Sequence, residues 1–276
     1  MTVFFKLLST LPLWLLHGAG WLLGWLVFLS SPRYRQRFLA NAALAGYGFA
    51  AVRGAVAGAG RLAAESPRLW MGAPVRCEWD NEECIVQAYA KGRGILFLTP
   101  HLGCFEISAQ AVAQRYSERF GPLTVLYRPA RKPWLARLME RARARPGLQT
   151  APTTLAGVRQ MMRALRSGQA VGLLPDQVPP EGMGQWASFF GRDAYTMTLS
   201  ARLAQQTGAT VVLAWGERLA WGRGFCLHFR EPHQPLATDM GTAVLQINQE
   251  MERLIRECPS QYLWAYARYK QPKRAA

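Results

Sequence analysis

The chain has 276 residues, of which half are apolar, and 33 lysines and arginines against 17 acidic residues give a formal net charge of +16. This apolar fraction excludes an intrinsically disordered chain, which combines charge with low hydrophobicity. The excess of positive charge indicates a partner rich in negative charge, such as nucleic acid, an anionic membrane surface or an acidic protein. The length predicts one or two domains.

The first predicted element is the apolar stretch 7–29, which carries no formal charge. It is long enough to cross a bilayer core, for which about 20 apolar residues suffice, and it is too long for a signal-peptide core. Three arginines follow it closely: Arg33, Arg35 and Arg37. The positive-inside bias then places the rest of the chain in the cytoplasm. We expect residues 1–32 to form a membrane anchor; the alternatives are a partly inserted helix, kinked at Pro12 or at its glycines, and a buried core helix.

Short apolar runs bounded by turn residues predict five buried strands, at 94–100, 123–127, 170–174, 210–215 and 225–229. Helical patterns lie at 106–119, 134–144, 155–166, 197–206 and 242–257. Strands that alternate with helices and are apolar throughout are typical of parallel sheets. We therefore predict an α/β fold, with a mostly parallel central sheet flanked by helices, in a single domain over residues 33–276.

Catalytic chemistry is predicted at the end of the first strand, where the sequence TPHLGCFE places His101 and Glu106 five positions apart. On one continuous helix they would point about 140° apart, so they meet only across a turn, which Pro100 and Gly103 favour. We expect Glu106 to bind one ring nitrogen of His101 and to leave the other as general base for a hydroxyl that attacks an ester or thioester. The alternative is a structural histidine at a strand end.

Cys104 lies between these two residues and offers a second interpretation, a thiol nucleophile activated by His101. An inert cysteine is the more usual state of this residue type. With five cysteines and no C-x-x-C pair, a disulfide scaffold and a zinc ribbon both fit poorly, so we expect reduced thiols in a cytosolic compartment.

Further polar residues follow the next strands. Arg128 comes after the strand at 123–127, and Asp176 and Gln177 come after the strand at 170–174. The carboxyl ends of strands are where open α/β sheets gather ligands and catalytic groups. The alternatives are a salt-bridging surface arginine and a helix-capping aspartate.

In chain order, the apolar N-terminus and the segments HLGCFE, YRP, PDQ, FFGR and PSQYLWAYARYK resemble the bacterial lipid A biosynthesis (lauroyl/myristoyl) acyltransferases. These belong to the H-x4-D/E glycerolipid acyltransferase superfamily, and the resemblance covers nearly the whole chain. It implies that His101 is the general base and Glu106 the carboxylate that orients it. Arg128 would stabilise an oxyanion or hold a phosphate, and Asp176 and Gln177 would help to shape the site.

The sequence departs from the family at Cys104 and Phe105, where asparagine and tryptophan are common. Neither is the reacting group, so the departure bears on hydrogen bonding near His101 rather than on the chemistry. The resemblance also implies that the C-terminal aromatic segment packs against the body of the domain.

By the same resemblance, the protein would be a membrane-associated enzyme on the cytoplasmic face of the bacterial inner membrane. It would move a fatty acyl chain from acyl carrier protein to a hydroxyl of a lipid A precursor, and no metal or organic cofactor is expected. Residues 115–170 hold twelve lysines and arginines against two acids. This positive charge suits an acidic carrier protein, an anionic glycolipid acceptor and a membrane surface.

Two other hypotheses stay open on the sequence. The acceptor could be a lysophospholipid, an ornithine-type lipid or a phosphatidylinositol mannoside. The chain could also be a non-catalytic, basic membrane or nucleic-acid binding protein. We do not expect nucleic acid as a partner, because the sequence contains no helix-turn-helix, zinc-finger or RNA-binding signature.

Overall fold

The computed structural model describes residues 2–127 and 145–273, without the side chains of residues 2–4. Arg128 and the predicted helix at 134–144 lie outside the described residues. The described helices are α1 (Thr2–Thr10), α2 (Leu13–Ser30), α3 (Pro32–Leu44), α4 (Phe49–Met71), α5 (Glu83–Ala90), α6 (Phe105–Phe120), α7 (Leu155–Arg166), α8 (Leu199–Thr207) and α9 (Met240–Glu257). The described strands are β1 (Cys77–Asp80), β2 (Ile95–Leu98), β3 (Leu123–Tyr127), β4 (Leu148–Pro152), β5 (Ala170–Leu173), β6 (Gly184–Phe189), β7 (Arg192–Met197), β8 (Thr210–Arg218) and β9 (Phe225–Arg230).

Seven of these strands form the central sheet, in the order β1-β9-β8-β2-β5-β3-β4. Every neighbouring pair is parallel except β8 and β9, which are antiparallel. All four residues of β2 are buried, since helices cover both faces of the sheet, and this explains why its sequence is apolar without alternation. The predicted α/β fold with a mostly parallel sheet is confirmed.

The segment WASFFGR belongs to an antiparallel hairpin of β6 and β7, two strands that are not among those predicted from the sequence. Phe190 and Gly191 form its turn, both with positive φ. The hairpin packs against α9, where the buried Asn248 donates to the carbonyl of Ser188 at 2.9 Å and to the hydroxyl of Thr196 at 3.1 Å. The hairpin pairs with no strand of the central sheet, and the buried amide of Asn248 supplies hydrogen bonds that hold it to α9 instead.

The apolar N-terminal stretch is divided at Pro12, which lies between α1 and α2. No kink occurs at the glycines, because α2 continues from Leu13 to Ser30. Two of these glycines instead allow close packing, since a Cβ on Gly20 or Gly24 would overlap the backbone of α4. Among the described residues, α2 is the one helix that is long and apolar enough to cross a membrane.

This packing predicts opposite effects for two substitutions on the same helix. An alanine at Gly24 would place its Cβ against the backbone of Val56 and Ala57 on α4. Overpacking of this kind costs about 1–3 kcal/mol, so we expect Gly24→Ala to lower the free energy of unfolding by that amount. Gly18 has open space around it. Gly18→Ala should be neutral or stabilise by up to ~1 kcal/mol, because alanine has the higher helix propensity.

Denaturant unfolding of the detergent-solubilised protein, followed by far-ultraviolet circular dichroism, measures both. Equal losses of stability in the two variants would contradict the close contact between α2 and α4.

Candidate active site

The register of two parallel strands brings His101 and Asp176 together. Leu98 at the end of β2 pairs with Leu173 at the end of β5. His101 and Asp176 each lie three residues beyond that pair, so the two segments leave the same edge of the sheet side by side. The carboxyl edge of a parallel sheet is where ligands bind in open α/β folds.

Asp176 holds His101 through both of its carboxylate oxygens. Oδ1 lies 2.7 Å from the ring Nδ1, and Oδ2 accepts the backbone N–H of His101 at 2.8 Å. Burial by itself raises the pKa of Asp176, but the charge of His101 and these hydrogen bonds, with the charge of Arg268, outweigh it. The pKa of Asp176 therefore lies below its ordinary value, and the buried carboxylate is ionised.

The ionised carboxylate determines the tautomer of His101. Since a carboxylate accepts hydrogen bonds, the proton of the neutral ring lies on Nδ1, and Nε2 then keeps its lone pair. The side-chain amide of Gln177 lies 2.9 Å from Nε2 and is oriented to donate to it. The His101 side chain is 17% exposed, whereas that of Asp176 is 1% exposed. The buried carboxylate thus holds Nδ1, and the Gln177 amide holds Nε2 on the other side of a partly exposed ring.

The turn after His101 is held between β8 and the C-terminal segment. Gly103 has φ +56°, and a Cβ there would overlap the carbonyl oxygen of Gly216. The N–H of Gly103 donates to the carbonyl of Gln261 at 3.1 Å, and the N–H of Cys104 donates to that of Gly216 at 2.7 Å. Gly103 is required here for both its positive φ and its lack of a side chain. The predicted turn between strand and helix is confirmed.

Glu106 does not hold the His101 ring at either nitrogen, because Asp176 and Gln177 do so. Glu106 lies half-buried in the first turn of α6. The expected contact was argued from nearness in sequence, whereas the register of β2 and β5 places a residue 75 positions away at Nδ1. Asp176 is therefore the carboxylate that orients the ring, and a part for Glu106 in the reaction stays a prediction.

Cys104 is unsuited to act as the nucleophile. It is completely buried, and burial together with the charge of Glu65 raises the pKa of its thiol well above the ordinary value. A thiol attacks as the thiolate, which this environment disfavours. The aromatic ring at the next position does reach the site, since the Phe105 ring lies 5.0 Å from the His101 ring, centroid to centroid.

A buried ion pair, which the sequence analysis missed, lies behind the turn. Arg218 of β8 donates from Nε and Nη2 to the carboxylate of Glu65 on α4, at 2.9 and 2.6 Å. His17 of α2 lies 2.9 Å from the same carboxylate. Burial by itself raises the pKa of Glu65, but the charges and hydrogen bonds of Arg218 and His17 outweigh burial and lower the pKa to about 2. A lone acid in an apolar, glycine-rich helix was the available signal, because a buried carboxylate requires a partner.

The C-terminal aromatic segment packs against the body, as predicted. Trp264 and Arg268 are buried, and Arg268 donates to the carbonyl of Tyr195 at 2.7 Å. Tyr262 lies beside Asp176, and burial with the charge of that carboxylate raises the pKa of its phenol well above the ordinary value. The C-terminal segment thus packs against the buried carboxylate of the site.

Residues 2–127 and 145–273 contain no group of three His, Cys, Asp or Glu side chains placed to hold a metal ion. That the reaction needs no cofactor stays a prediction. Arg128, for which a role was predicted, lies outside those ranges, and so do six of the twelve basic residues of 115–170.

Comparison with known proteins agrees with the resemblance noted in the sequence. A family model described as bacterial lipid A biosynthesis acyltransferase matches residues 3–271. The lipid A biosynthesis palmitoleoyltransferase of Escherichia coli K12 is 25% identical over 206 residues, which are 73% of this chain and 64% of that protein. The lauroyltransferase of the same organism is 27% identical over 190 residues, 68% of this chain and 60% of that protein.

A lipid A biosynthesis acyltransferase of Haemophilus influenzae Rd is 24% identical over 216 residues, 78% of this chain and 65% of that protein. The matched part of the chain thus spans somewhat less than two thirds of the length of these curated relatives.

The geometry predicts a large kinetic effect for Asp176→Asn. The amide removes the charge that fixes the tautomer of His101, and proton transfer by a positioned base contributes about 10²–10⁴-fold to rate. We expect kcat for acyl transfer to fall by about that factor. The KM should change little, because the Asp176 side chain is buried and the substitution leaves the accessible surface of the site unchanged.

The matched control is Asp193→Asn, since Asp193 is exposed on β7. Steady-state kinetics and thermal unfolding of both variants check the result. Unchanged kcat in a folded Asp176→Asn protein would show that the ring does not depend on this carboxylate.

Cys104→Ala separates the two chemistries at this turn. If Cys104 is an inert buried thiol, the variant should keep kcat within about tenfold of the native value, the loss arising from a small cavity. A thiol nucleophile predicts complete loss instead. Intact-protein mass spectrometry with the acyl donor alone gives a second readout, since a covalent route would leave an acyl group on the native protein and none on the variant.

Proposed function

Because the chain belongs to the bacterial lipid A biosynthesis acyltransferase family, we propose that it transfers a fatty acyl chain from acyl carrier protein to a hydroxyl of a lipid A precursor. The observation that carries the proposal is the His101–Asp176 contact of 2.7 Å at the carboxyl edge of the sheet, with Nε2 directed away from the carboxylate. An acyltransferase without a covalent intermediate requires such a base near a bound hydroxyl.

The geometry suggests the following reaction. The acceptor hydroxyl displaces the Gln177 amide from Nε2 and gives its proton to that nitrogen. The hydroxyl oxygen attacks the thioester carbonyl carbon and forms a tetrahedral oxyanion, while Asp176 stabilises the charged ring through Nδ1. When the carbon–sulfur bond breaks, the leaving thiolate takes the proton from Nε2. The products are an ester on the acceptor and a free thiol on the carrier, and His101 returns to its neutral state.

The charge of the chain supports the proposed partners. A net charge of +16 favours association with an acidic carrier protein, with a phosphorylated glycolipid and with an anionic bilayer. Arginine is the residue suited to hold phosphate or a developing oxyanion, which supports a role for Arg128 in the site. The exposed apolar surface of α2 supports attachment to the inner membrane, and the arginines that follow it favour the cytoplasmic face.

The test is acyl transfer in vitro with His101→Ala. Wild-type protein incubated with acylated carrier protein and a lipid A precursor should give a product heavier by one acyl chain. We expect His101→Ala to reduce the initial rate by about 10²–10⁴-fold, because the variant lacks the base that takes the hydroxyl proton. The matched control is His233→Ala, since the side chain of His233 is 71% exposed.

Equal product from wild type and His101→Ala would remove His101 as the base. The acceptor is tested separately by intact-mass lipid profiles of cells with and without the protein. Loss of one acyl chain from lipid A supports the proposal, and loss from a phospholipid, ornithine lipid or phosphatidylinositol mannoside instead would assign a different acceptor.

A further inference from the structure

The outer face of α2 is apolar along its whole length. From Trp14 to Leu29, no exposed position of the helix carries a polar side chain. The large exposed side chains are Trp14, Leu15, Trp21, Leu22, Leu23, Leu26, Val27 and Leu29. A continuous apolar surface of this kind is rare on a soluble monomer and requires a cover.

The inner face of α2 contacts the body of the protein from end to end. At its start, the backbone of Trp14 lies so close to Gly222 that a Cβ on that glycine would overlap it. Near its end, the Phe28 ring packs against Phe38 and Phe49, with centroids 5.4 and 5.7 Å away. The helix therefore lies along the body rather than projecting from it.

This placement conflicts with a helix that crosses a membrane. Eighteen residues give a helix about 27 Å long, close to the ~30 Å of a bilayer core, so length alone permits a span. A spanning helix has its two ends on opposite sides of the bilayer. Here exposed arginines lie near both ends: Arg223 follows Gly222, which contacts Trp14 at the start, and Arg33 comes three residues after Ser30 at the end. A span would carry one of these ends, with the body that it touches, across the hydrocarbon.

Detaching α2 from the body would break a buried charge network. His17 lies 2.9 Å from Glu65, whose carboxylate also accepts from Arg218 of the central sheet. The α4 helix cannot accompany α2 into a bilayer, because Glu65 fixes it to β8 and it also carries Arg61 and Arg68. Helix α2 can keep its inner face on the protein and place its outer face in lipid only if it lies parallel to the membrane.

We infer that α2 lies in the plane of the membrane, with its outer face among the acyl chains of one leaflet, and that the chain does not cross the bilayer at this helix. The leaflet is one with anionic headgroups, because the exposed side chains of Arg33 and Arg37 closely follow the apolar helix in sequence. Trp221, 90% exposed beside the start of α2, adds an aromatic side chain of the kind found at lipid headgroup depth.

The inference rests on the proposed membrane attachment and deepens it. Glu65 contacts His17 on α2 and also lies beside Cys104 in the turn that follows His101. An in-plane helix therefore holds the site at a fixed height above the leaflet in which a lipid acceptor lies.

Protease accessibility in cells tests the orientation. The full chain carries one epitope tag before residue 1 and another after residue 276, each followed by the same protease site. In spheroplasts both tags should be protected together, and after permeabilisation both should be cut together. Cleavage of one tag in intact spheroplasts with protection of the other would place the ends on opposite sides and overturn the inference.

Vesicle binding tests what covers the outer face. Leu22→Glu and Leu26→Glu place a charge on exposed positions of α2, and Gln36→Glu does so on an exposed position of α3 as the matched control. Binding to vesicles of phosphatidylethanolamine and phosphatidylglycerol should weaken roughly tenfold or more for the α2 variants, with thermal unfolding unchanged. Vesicle binding equal to that of the control would overturn the inference.

Sedimentation velocity tests whether a second copy of the chain, rather than lipid, covers the outer face of α2. A dimer that Leu22→Glu dissociates, with vesicle binding unaffected, would also overturn the inference. Neither readout requires acyl transfer, so an inactive protein with both ends on one side would refute the proposed function while leaving the orientation of α2 supported.

Discussion

The structure depends on one buried ion pair, between Glu65 and Arg218. Glu65 is fully buried, and its carboxylate is held by Arg218 and His17. The backbone N–H and carbonyl of Arg218 bond in turn to the side-chain amide of Gln261, and the carbonyl of Gln261 accepts the N–H of Gly103. Removing one partner of such a pair costs about 3–5 kcal/mol, because the other charge stays buried without compensation. Helix α2, the central sheet and the turn after His101 are thus joined in one network. Breaking one contact in it leaves a buried charge or polar group without its partner.

The His101–Asp176 pair results from the register of strands β2 and β5. Parallel pairing of β2 with β5 places two loops of equal offset next to each other, so a histidine on one meets an aspartate on the other. The turn after His101 is held in place by packing, since Gly103 lies against Gly216. Rigid support of this kind is what a general base requires, because misplacement by about 1 Å can cost a hundredfold in rate. The role of Asp176 therefore follows from the sheet rather than from the local sequence.

Much of the fold could be predicted from periodicity, and two of the missed strands share a physical cause. Helix α7 occupies the predicted residues, because its apolar positions recur at helical spacing and Thr154 caps it. Strands β1 and β4 were missed because edge strands are short and partly exposed, so CEWD and LQTAP lack the apolar run that identifies a central strand. In the site, His101 and its turn could be predicted, since both are local. The carboxylate partner could not, because the sequence does not give the order of strands.

The same distinction applies to the apolar N-terminus. Hydropathy measures the average character of a segment and cannot separate one face of a helix from the other. In α2 both faces are apolar in composition, but the small residues Gly20 and Gly24 and the polar His17 lie on the buried face. In the sequence alone the glycines of α2 suggest flexibility, but in the structure Gly20 and Gly24 allow close packing against α4. His17, a polar residue in an apolar segment, is the hydrogen-bond partner of Glu65. Helix α2 turns His17 and its two closely packed glycines to the protein and presents a large apolar outer face to lipid from one side, which is the arrangement of an interfacial helix rather than of a span.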